Sequence, residues 1–128
     1  MKRIAVDLDG TLAKYTHWPK DGSIGEPVPD MVDRVKKWLD EGHDVVIFTA
    51  RVCSNDEYSE ESKRLADEIF VEEQTKFIQE WCLKHIGKVL PITNKKDFKM
   101  VEFWDDRAKQ VYPNTGELVE DRLKMLNA

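Results

Sequence analysis

The chain has 128 residues, which is long enough for one hydrophobic core and too short for two. Hydrophobic residues make up 41% of it and charged residues 35%, as in ordinary globular proteins, and no apolar run approaches membrane-spanning length. The net charge of −5 and the absence of a basic tract disfavour tight, non-specific binding to a nucleic-acid backbone.

The start of the chain does not resemble a signal peptide, because a strand-like pattern with acidic residues begins almost at once. Cys53 and Cys82 lack the spacing of metal ligands, and we expect both to be reduced thiols. We therefore predict a single cytoplasmic domain over residues 1–128, with no membrane partner.

The first predicted element is a buried strand that ends in two acidic residues. Residues 4–6 are apolar and too few for a helix, and Asp7, Asp9 and Gly10 follow closely. Gly10 allows a sharp turn, which would present both carboxylates at the carboxyl end of the strand, where open α/β sheets bind ligands. Together with a backbone carbonyl, the two carboxylates would suit a hard cation such as Mg²⁺.

An irregular loop is predicted over residues 13–29, because the segment contains two glycines and three prolines. It directly follows the acidic pair, so we expect it to lie over the site as a flap. Tyr15, His17, Trp18 and Lys20 are candidates to contact a substrate there. The alternative is that Trp18 only anchors the loop on the body of the protein.

A helix and a second strand come next. Apolar residues at helical spacing predict a helix from about residue 30 to residue 41, and Gly42 ends it. The β-branched run that follows, residues 44–49, predicts a buried strand. A strand, a helix and a strand in this order form a parallel pair with a right-handed crossover, so Thr49 should lie at the same sheet edge as Asp7.

A long helical segment is predicted over residues 54–86, where glycine and proline are absent. Its length exceeds that of most globular helices, so we expect a break near residues 72–75. The first half of the segment is a candidate partial lid.

The remaining third of the chain predicts short strands and a last helix. Pro91 weakens the first of these strands and indicates a sheet edge. The predicted strands cover residues 89–92, 100–104 and 110–112, and the helix covers residues 118–126.

Polar residues thus follow the ends of four predicted strands at one edge of the sheet. They are Asp7 with Asp9, Thr49, a lysine at 95 or 96, and Asp105 with Asp106.

The segment from Asp7 to Thr11 resembles the first signature motif of the haloacid dehalogenase superfamily in its phosphatase form, Asp-x-Asp-x-Thr. Taken alone, these residues would also suit a turn that uses Asp and Gly for backbone reasons. The order and spacing of the other strand-end residues resemble the three remaining motifs, and the similarity extends to residues 48–51 and 104–108. The resemblance covers nearly the whole chain and implies a Rossmann-like, three-layer α/β/α fold with a parallel sheet. The short gaps between the motifs indicate no large cap domain.

The resemblance also implies catalytic roles. In that family the first Asp attacks phosphorus to form an aspartyl-phosphate, and the second acts as acid and then as base, which assigns these roles to Asp7 and Asp9. Thr49 would donate a hydrogen bond to a phosphoryl oxygen, and Lys96 would neutralise charge. Further substrate contacts are assigned to Gly10, Thr11, Ala50, Arg51 and Lys95.

A Mg²⁺ cofactor follows from the same resemblance. A phosphate dianion repels an anionic nucleophile, and a cation shared by Asp7, Asp105 and a phosphoryl oxygen would cancel that repulsion. The backbone carbonyl of Asp9 is a further implied ligand. Asp106 is assigned to the same metal site, directly or through water, with capping of the following turn as the alternative.

Several assignments stay open at this point. Lys95 and Lys96 are adjacent and only one can point inward comfortably, so Lys96 is preferred and Lys99 is a third candidate. Arg51 is a candidate to bind the leaving group or a second phosphate, whereas a surface ion pair is at least as plausible for Arg107. The three histidines are dispersed, and no base accompanies Cys53.

The predicted function is Mg²⁺-dependent hydrolysis of a phosphorylated small molecule. One alternative is a nucleotidase or a phosphatase of polynucleotide ends, and another is a phosphate-binding domain without catalytic activity. The intact Asp9 disfavours a mere binder, which needs no acid/base there, and also disfavours dehalogenase chemistry. The oligomeric state is left open by the sequence.

Overall fold

Four parallel strands form one sheet in the structure, a computed structural model that describes residues 1–53 and 60–127. The strand order is β3-β2-β1-β4. The elements are β1 (Arg3–Asp7), α1 (Pro29–Asp40), β2 (Asp44–Phe48), a short 3-10 turn (Ala50–Val52), α2 (Glu61–His85), β3 (Ile92–Thr93), β4 (Met100–Trp104) and α3 (Val119–Leu126).

The main core lies between the sheet and the first two helices. β1, β2 and β3 are added to the sheet in one direction, so right-handed crossovers put α1 and α2 on the same face. Side chains that alternate along the strands, such as Ile4 and Val6, contact this helical layer. From α1 the buried contacts include Val35, and from α2 they include Ile78 and Trp81.

The opposite face of the sheet is covered differently. Its buried cluster consists of strand residues alone, Ala5, Val46 and Met100, and α3 buries none of its side chains. The connection 94–99, which leads from β3 at one edge to β4 at the other, is tied to this face by an ion pair of 3.4 Å between Arg3 and Asp97. The parallel, Rossmann-like α/β fold without a large cap is therefore confirmed. The connection 94–99 is too short to include a crossing helix, and the third helix of the fold is α3.

α2 is one unbroken helix of 25 residues, so the predicted break is wrong. Its first buried residue is Gln74, and the second half of the helix supplies the core contacts. In the first half, Leu65 and Ile69 are 48% and 62% exposed. The expected helix start near residue 54 lies outside the described residues.

The end of the chain differs from expectation in two places. β3 is shorter and later than predicted, although it does lie at the sheet edge, as Pro91 indicated. The predicted strand at 110–112 is a single antiparallel bridge between Val111 and Leu118. Across both described ranges, no helix combines the length and apolar character needed to cross a membrane.

The division of α2 into two halves predicts unequal effects of the same substitution. Ile78 is fully buried, so Ile78→Ala should lower the free energy of unfolding by roughly 3 kcal/mol through lost burial and a residual cavity. Ile69→Ala, on the exposed half, should change it by less than about 0.5 kcal/mol. Urea unfolding of both variants measures this, and equal losses would contradict the observed docking.

Candidate functional site

The candidate site lies where three strands end side by side. Asp7 pairs with Phe48, and Val6 pairs with Trp104, so the chain leaves β1, β2 and β4 at nearly the same level. A cavity of about 480 Å³ opens at this edge. Eight of the described residues that line it are site candidates from the sequence: Asp7, Asp9, Tyr15, Trp18, Thr49, Ala50, Arg51 and Asp105.

The turn after β1 explains why glycine stands at position 10. The carbonyl of Leu8 accepts hydrogen bonds from the backbone N–H groups of Leu12 (3.0 Å) and Ala13 (2.9 Å), which closes the turn tightly. Gly10 has φ +92°, and a Cβ atom there would lie 2.6 Å from a carboxylate oxygen of Asp106. Gly10 therefore permits the close approach of Asp106, and its predicted substrate contact stays a prediction.

Three carboxylates form a cluster beside the cavity. One oxygen from each of Asp7, Asp105 and Asp106 lies within 4.8 Å of the others. The Thr11 hydroxyl lies 3.3 Å from an oxygen of Asp7 and 3.1 Å from an oxygen of Asp106, and it accepts a hydrogen bond of 3.0 Å from the Asp106 N–H. Thr11 thus links the turn after β1 to the segment that follows β4. Its predicted role was substrate binding, and its observed contacts are with the acidic cluster.

Burial and charge repulsion raise the pKa of Asp7 to about 7. Loss of solvent is the largest cause, followed by the negative charge of Asp105 and a hydrogen bond with Asp106. Hard oxygen ligands in this number suit a divalent cation of the Mg²⁺ type, which would relieve the repulsion. The residues present therefore fit the expected metal. The carboxylate of Asp9 stands apart from this cluster.

Asp9 is instead paired with Arg51. The Nε and Nη2 atoms of Arg51 each donate a 2.7 Å hydrogen bond to a different oxygen of Asp9. Nη1 donates to the Gly22 carbonyl (2.6 Å) and to Oε1 of Gln74 (2.7 Å), and Nη2 also donates to the Ser23 carbonyl (3.0 Å). These contacts use all five N–H donors of a guanidinium. Arg51, expected to bind substrate, is here engaged within the protein.

The flap loop packs over the ion pair between Asp9 and Arg51. The ring of Trp18 stacks on Arg51, with 4.6 Å between the guanidinium carbon and the ring centre, and it also contacts Phe70 of α2. A Cβ atom on Gly22 would lie 2.5 Å from the amide nitrogen of Gln74, so glycine lets the loop approach α2 closely. Trp18 both anchors the loop and lines the cavity.

The other predicted residues are placed at different distances from the cavity. The Thr49 hydroxyl accepts a 3.2 Å hydrogen bond from the Arg51 N–H and thereby caps the 3-10 turn that carries Ala50. The ammonium of Lys96 lies 4.9 Å from the ring centre of Phe103, and the N–H of Lys95 donates to Thr93. Among the described residues that line the cavity, neither lysine is included. Their predicted contacts with substrate stay predictions.

Sequence reasoning missed Gln74 and Phe70 as parts of the site. Gln74 is 1% exposed, yet a glutamine in a polar stretch of helix carries no signal that its side chain is buried. Phe70 lines the cavity, and the helical pattern does not distinguish it from apolar residues that pack on the core. Arg107, for which a surface ion pair was at least as plausible as a site role, also lines the cavity.

Comparisons with known proteins identify the fold alone. No protein-family model matches the chain, and no curated protein matches it in sequence. The structure of a conserved protein from Bacteroides thetaiotaomicron is similar, with a TM-score of 0.52 and 21% sequence identity over 98% of this chain and 91% of that chain. The two chains share a fold. At this level of identity the likeness carries no information about activity.

The raised pKa of Asp7 predicts a stability that depends on pH in metal-free protein. Between the ordinary pKa of 3.8 and about 7, folded Asp7 holds a proton that the unfolded chain releases, so stability falls as pH rises through this window. The full difference corresponds to roughly 4 kcal/mol, and solvent screening at this half-buried group reduces it to ~1–2 kcal/mol. In EDTA, Asp7→Asn should therefore stabilise the protein by ~1–2 kcal/mol at pH 8 and by almost nothing at pH 4.

Urea unfolding at both pH values measures this, with Asp33→Asn on the exposed face of α1 as the matched control. Added Mg²⁺ should stabilise the wild type at pH 8 more than it stabilises Asp7→Asn. An identical pH dependence in the wild type and Asp7→Asn would contradict the raised pKa of Asp7.

The Arg51 contacts predict that lysine cannot replace this arginine. Arg51→Lys keeps the charge but cannot reproduce five donors in a planar fork, so Asp9 and Gln74 lose partners in a buried setting. The free energy of unfolding should fall by about 3 kcal/mol. Arg64→Lys, an exposed position on α2, is the matched control and should cost less than about 0.5 kcal/mol in the same urea titration. Equal stabilities of the two variants would refute the structural role of Arg51.

Proposed function

We propose that this protein is a Mg²⁺-dependent phosphomonoester hydrolase of the haloacid dehalogenase type. The observation that carries the proposal is the meeting of Asp7 with Asp105 and Asp106, from opposite ends of the chain, beside a cavity that Asp9 and Thr49 also line. A phosphatase of this type needs a nucleophilic carboxylate, a separate acid/base and a cation site within one small volume.

Asp7 acts first, as the nucleophile. One of its carboxylate oxygens attacks phosphorus, an Asp7–phosphate bond forms, and the bond from phosphorus to the alcohol oxygen breaks. The Thr49 hydroxyl, which caps the 3-10 turn, donates a hydrogen bond to a phosphoryl oxygen. Asp7, Asp105 and Asp106 would hold the Mg²⁺, which when bound neutralises negative charge shared between the carboxylates and the phosphate.

Asp9 transfers the proton in both halves of the reaction. It gives a proton to the departing alcohol oxygen and later takes one from the water that attacks phosphorus. That second attack breaks the Asp7–phosphate bond and releases inorganic phosphate, which restores both carboxyl groups to their starting states. The paired contact with Arg51 orients Asp9 for this role. Both Asp9 oxygens accept from Arg51, so the transferred proton displaces one of these hydrogen bonds while the other keeps the carboxyl group oriented.

One observation favours a second candidate, a phosphate-binding domain without catalytic activity. The ion pair with Arg51 gives Asp9 a structural purpose that does not require proton transfer. A binder of this kind would still use the metal cluster and Thr49, but it would release the phosphate ester unchanged.

Hydrolysis of p-nitrophenyl phosphate in Mg²⁺ separates the two candidates. Asp7→Asn should abolish turnover, lowering kcat by at least ~10³-fold, because the amide is a poor nucleophile. Asp9→Asn should lower kcat by ~10²–10⁴-fold. Excess EDTA should remove activity from the wild type, and re-addition of Mg²⁺ should restore it.

Asp33→Asn serves as the control and should retain wild-type kcat. Intact mass spectrometry of Asp9→Asn quenched in acid during turnover should detect a phosphorylated protein. Wild-type protein that hydrolyses nothing with any divalent metal would favour the binder, and unaltered turnover by Asp7→Asn would refute the assigned nucleophile.

A further inference from the structure

Four of the described residues that line the cavity are aromatic. Tyr15 and Trp18 come from the flap loop, Phe48 from the end of β2 and Phe70 from α2. Trp18 and Phe70 contact each other yet stay 44% and 38% exposed. Large apolar side chains held together at the rim of a polar site are typical of a surface that receives a ligand.

The charges around the cavity limit what the ligand can carry. Of the described residues that line it, Arg51 and Arg107 are the cations, whereas Asp7, Asp9 and Asp105 are acids. Arg51 already uses its five donors inside the protein. Among the described lining residues, Arg107 alone is left to meet a second anionic group. The charge of a leaving group with further phosphates would therefore be poorly compensated.

From this arrangement we infer that the site selects phosphomonoesters whose alcohol bears a flat, uncharged aromatic ring. The inference rests on the proposed function and deepens it by naming the class of leaving group. A volume of about 480 Å³ admits a phosphate together with one ring system. The ring stacks against Trp18 and Phe70, because every such ring has a π-face that an aromatic side chain can contact.

Two chemical sources supply a ring of this kind. In a benzyl-type phosphate the ring lies one carbon from the ester oxygen, and in a nucleoside 5′-monophosphate a ribose separates the base from the ester. Both present the same stacking surface at different distances from Asp7. Kinetics with benzyl phosphate and with adenosine 5′-monophosphate distinguish them, because the better-fitting spacing gives the higher kcat/KM.

The deciding comparison is benzyl phosphate against cyclohexylmethyl phosphate, in wild-type protein with Mg²⁺. The two alcohols have similar size and similar acidity as leaving groups, and only one ring is flat. We expect kcat/KM for benzyl phosphate to be about tenfold higher, mainly through a lower KM. Stacking of the ring on an aromatic side chain provides the binding free energy for a difference of this size. Phe70→Leu should remove about tenfold from benzyl phosphate and less than about threefold from cyclohexylmethyl phosphate.

Phe77→Leu is the matched control on the same helix, since Phe77 is 36% exposed and is not among the described cavity-lining residues. It should leave both substrates unchanged. Equal kcat/KM for the flat and saturated rings, or equal effects of the two leucine substitutions, would overturn the inference while the phosphatase proposal stands.

A failure of the phosphatase proposal gives a different result. If neither ester is hydrolysed, calorimetric titration of each into the wild-type protein with Mg²⁺ still decides ring selection. Binding of benzyl phosphate at least fivefold tighter supports the aromatic pocket, and equal or absent binding refutes it.

Discussion

The alignment of β1 with β4 determines where three negative charges lie, and the rest of the candidate site is arranged around that constraint. Because Val6 pairs with Trp104, Asp7 and Asp105 leave neighbouring strands at the same level and cannot separate unless the sheet ladder breaks. Thr11 then ties Asp106 to the turn after β1. The raised pKa of Asp7 follows from this placement, because the carboxyl group loses solvent and lies close to the carboxylates of Asp105 and Asp106. Local repulsion of this kind, kept in place by a consistent fold, is typical of functional sites.

Asp9 shows how strongly the surroundings of two nearby acids can differ. It lies two residues after Asp7, but its carboxylate meets a guanidinium where Asp7 meets other carboxylates. Arg51 draws together the end of β2, the flap loop through Gly22, and α2 through Gln74. The orientation of the proposed acid/base therefore depends on the whole of this network. The two carboxyl groups therefore lie in contrasting environments, Asp7 among like charges and Asp9 beside a cation.

The sequence predicted the features that depend on local patterns. β1, β2 and β4 follow from apolar runs, and their parallel order follows from the crossover rule, so the meeting of Asp7 with Thr49 and Asp105 could be anticipated. The sequence did not predict that Arg51 uses its hydrogen-bond donors within the protein. Its partners include backbone carbonyls and a buried glutamine far along the chain. The expected break in α2 was inferred from length alone. Tertiary contacts of the second half of the helix outweigh the usual limit on helix length. Local sequence patterns predict where the strands end, whereas hydrogen-bond networks between distant segments are seen only in the three-dimensional structure.

The length of α2 connects the fold to the proposed specificity. A strand of five residues spans ~17 Å, which a helix covers in about eleven residues, so α2 has roughly twice the length that packing on the sheet requires. α2 begins after β2 and runs back along it, so its surplus turns lie beyond the carboxyl edge of the sheet. Phe70 is in that surplus half, next to Trp18 from the flap loop. In the proposed function a separate cap domain is unnecessary for contact with the leaving group, because the overlong helix and the flap loop bring aromatic side chains to the same cavity.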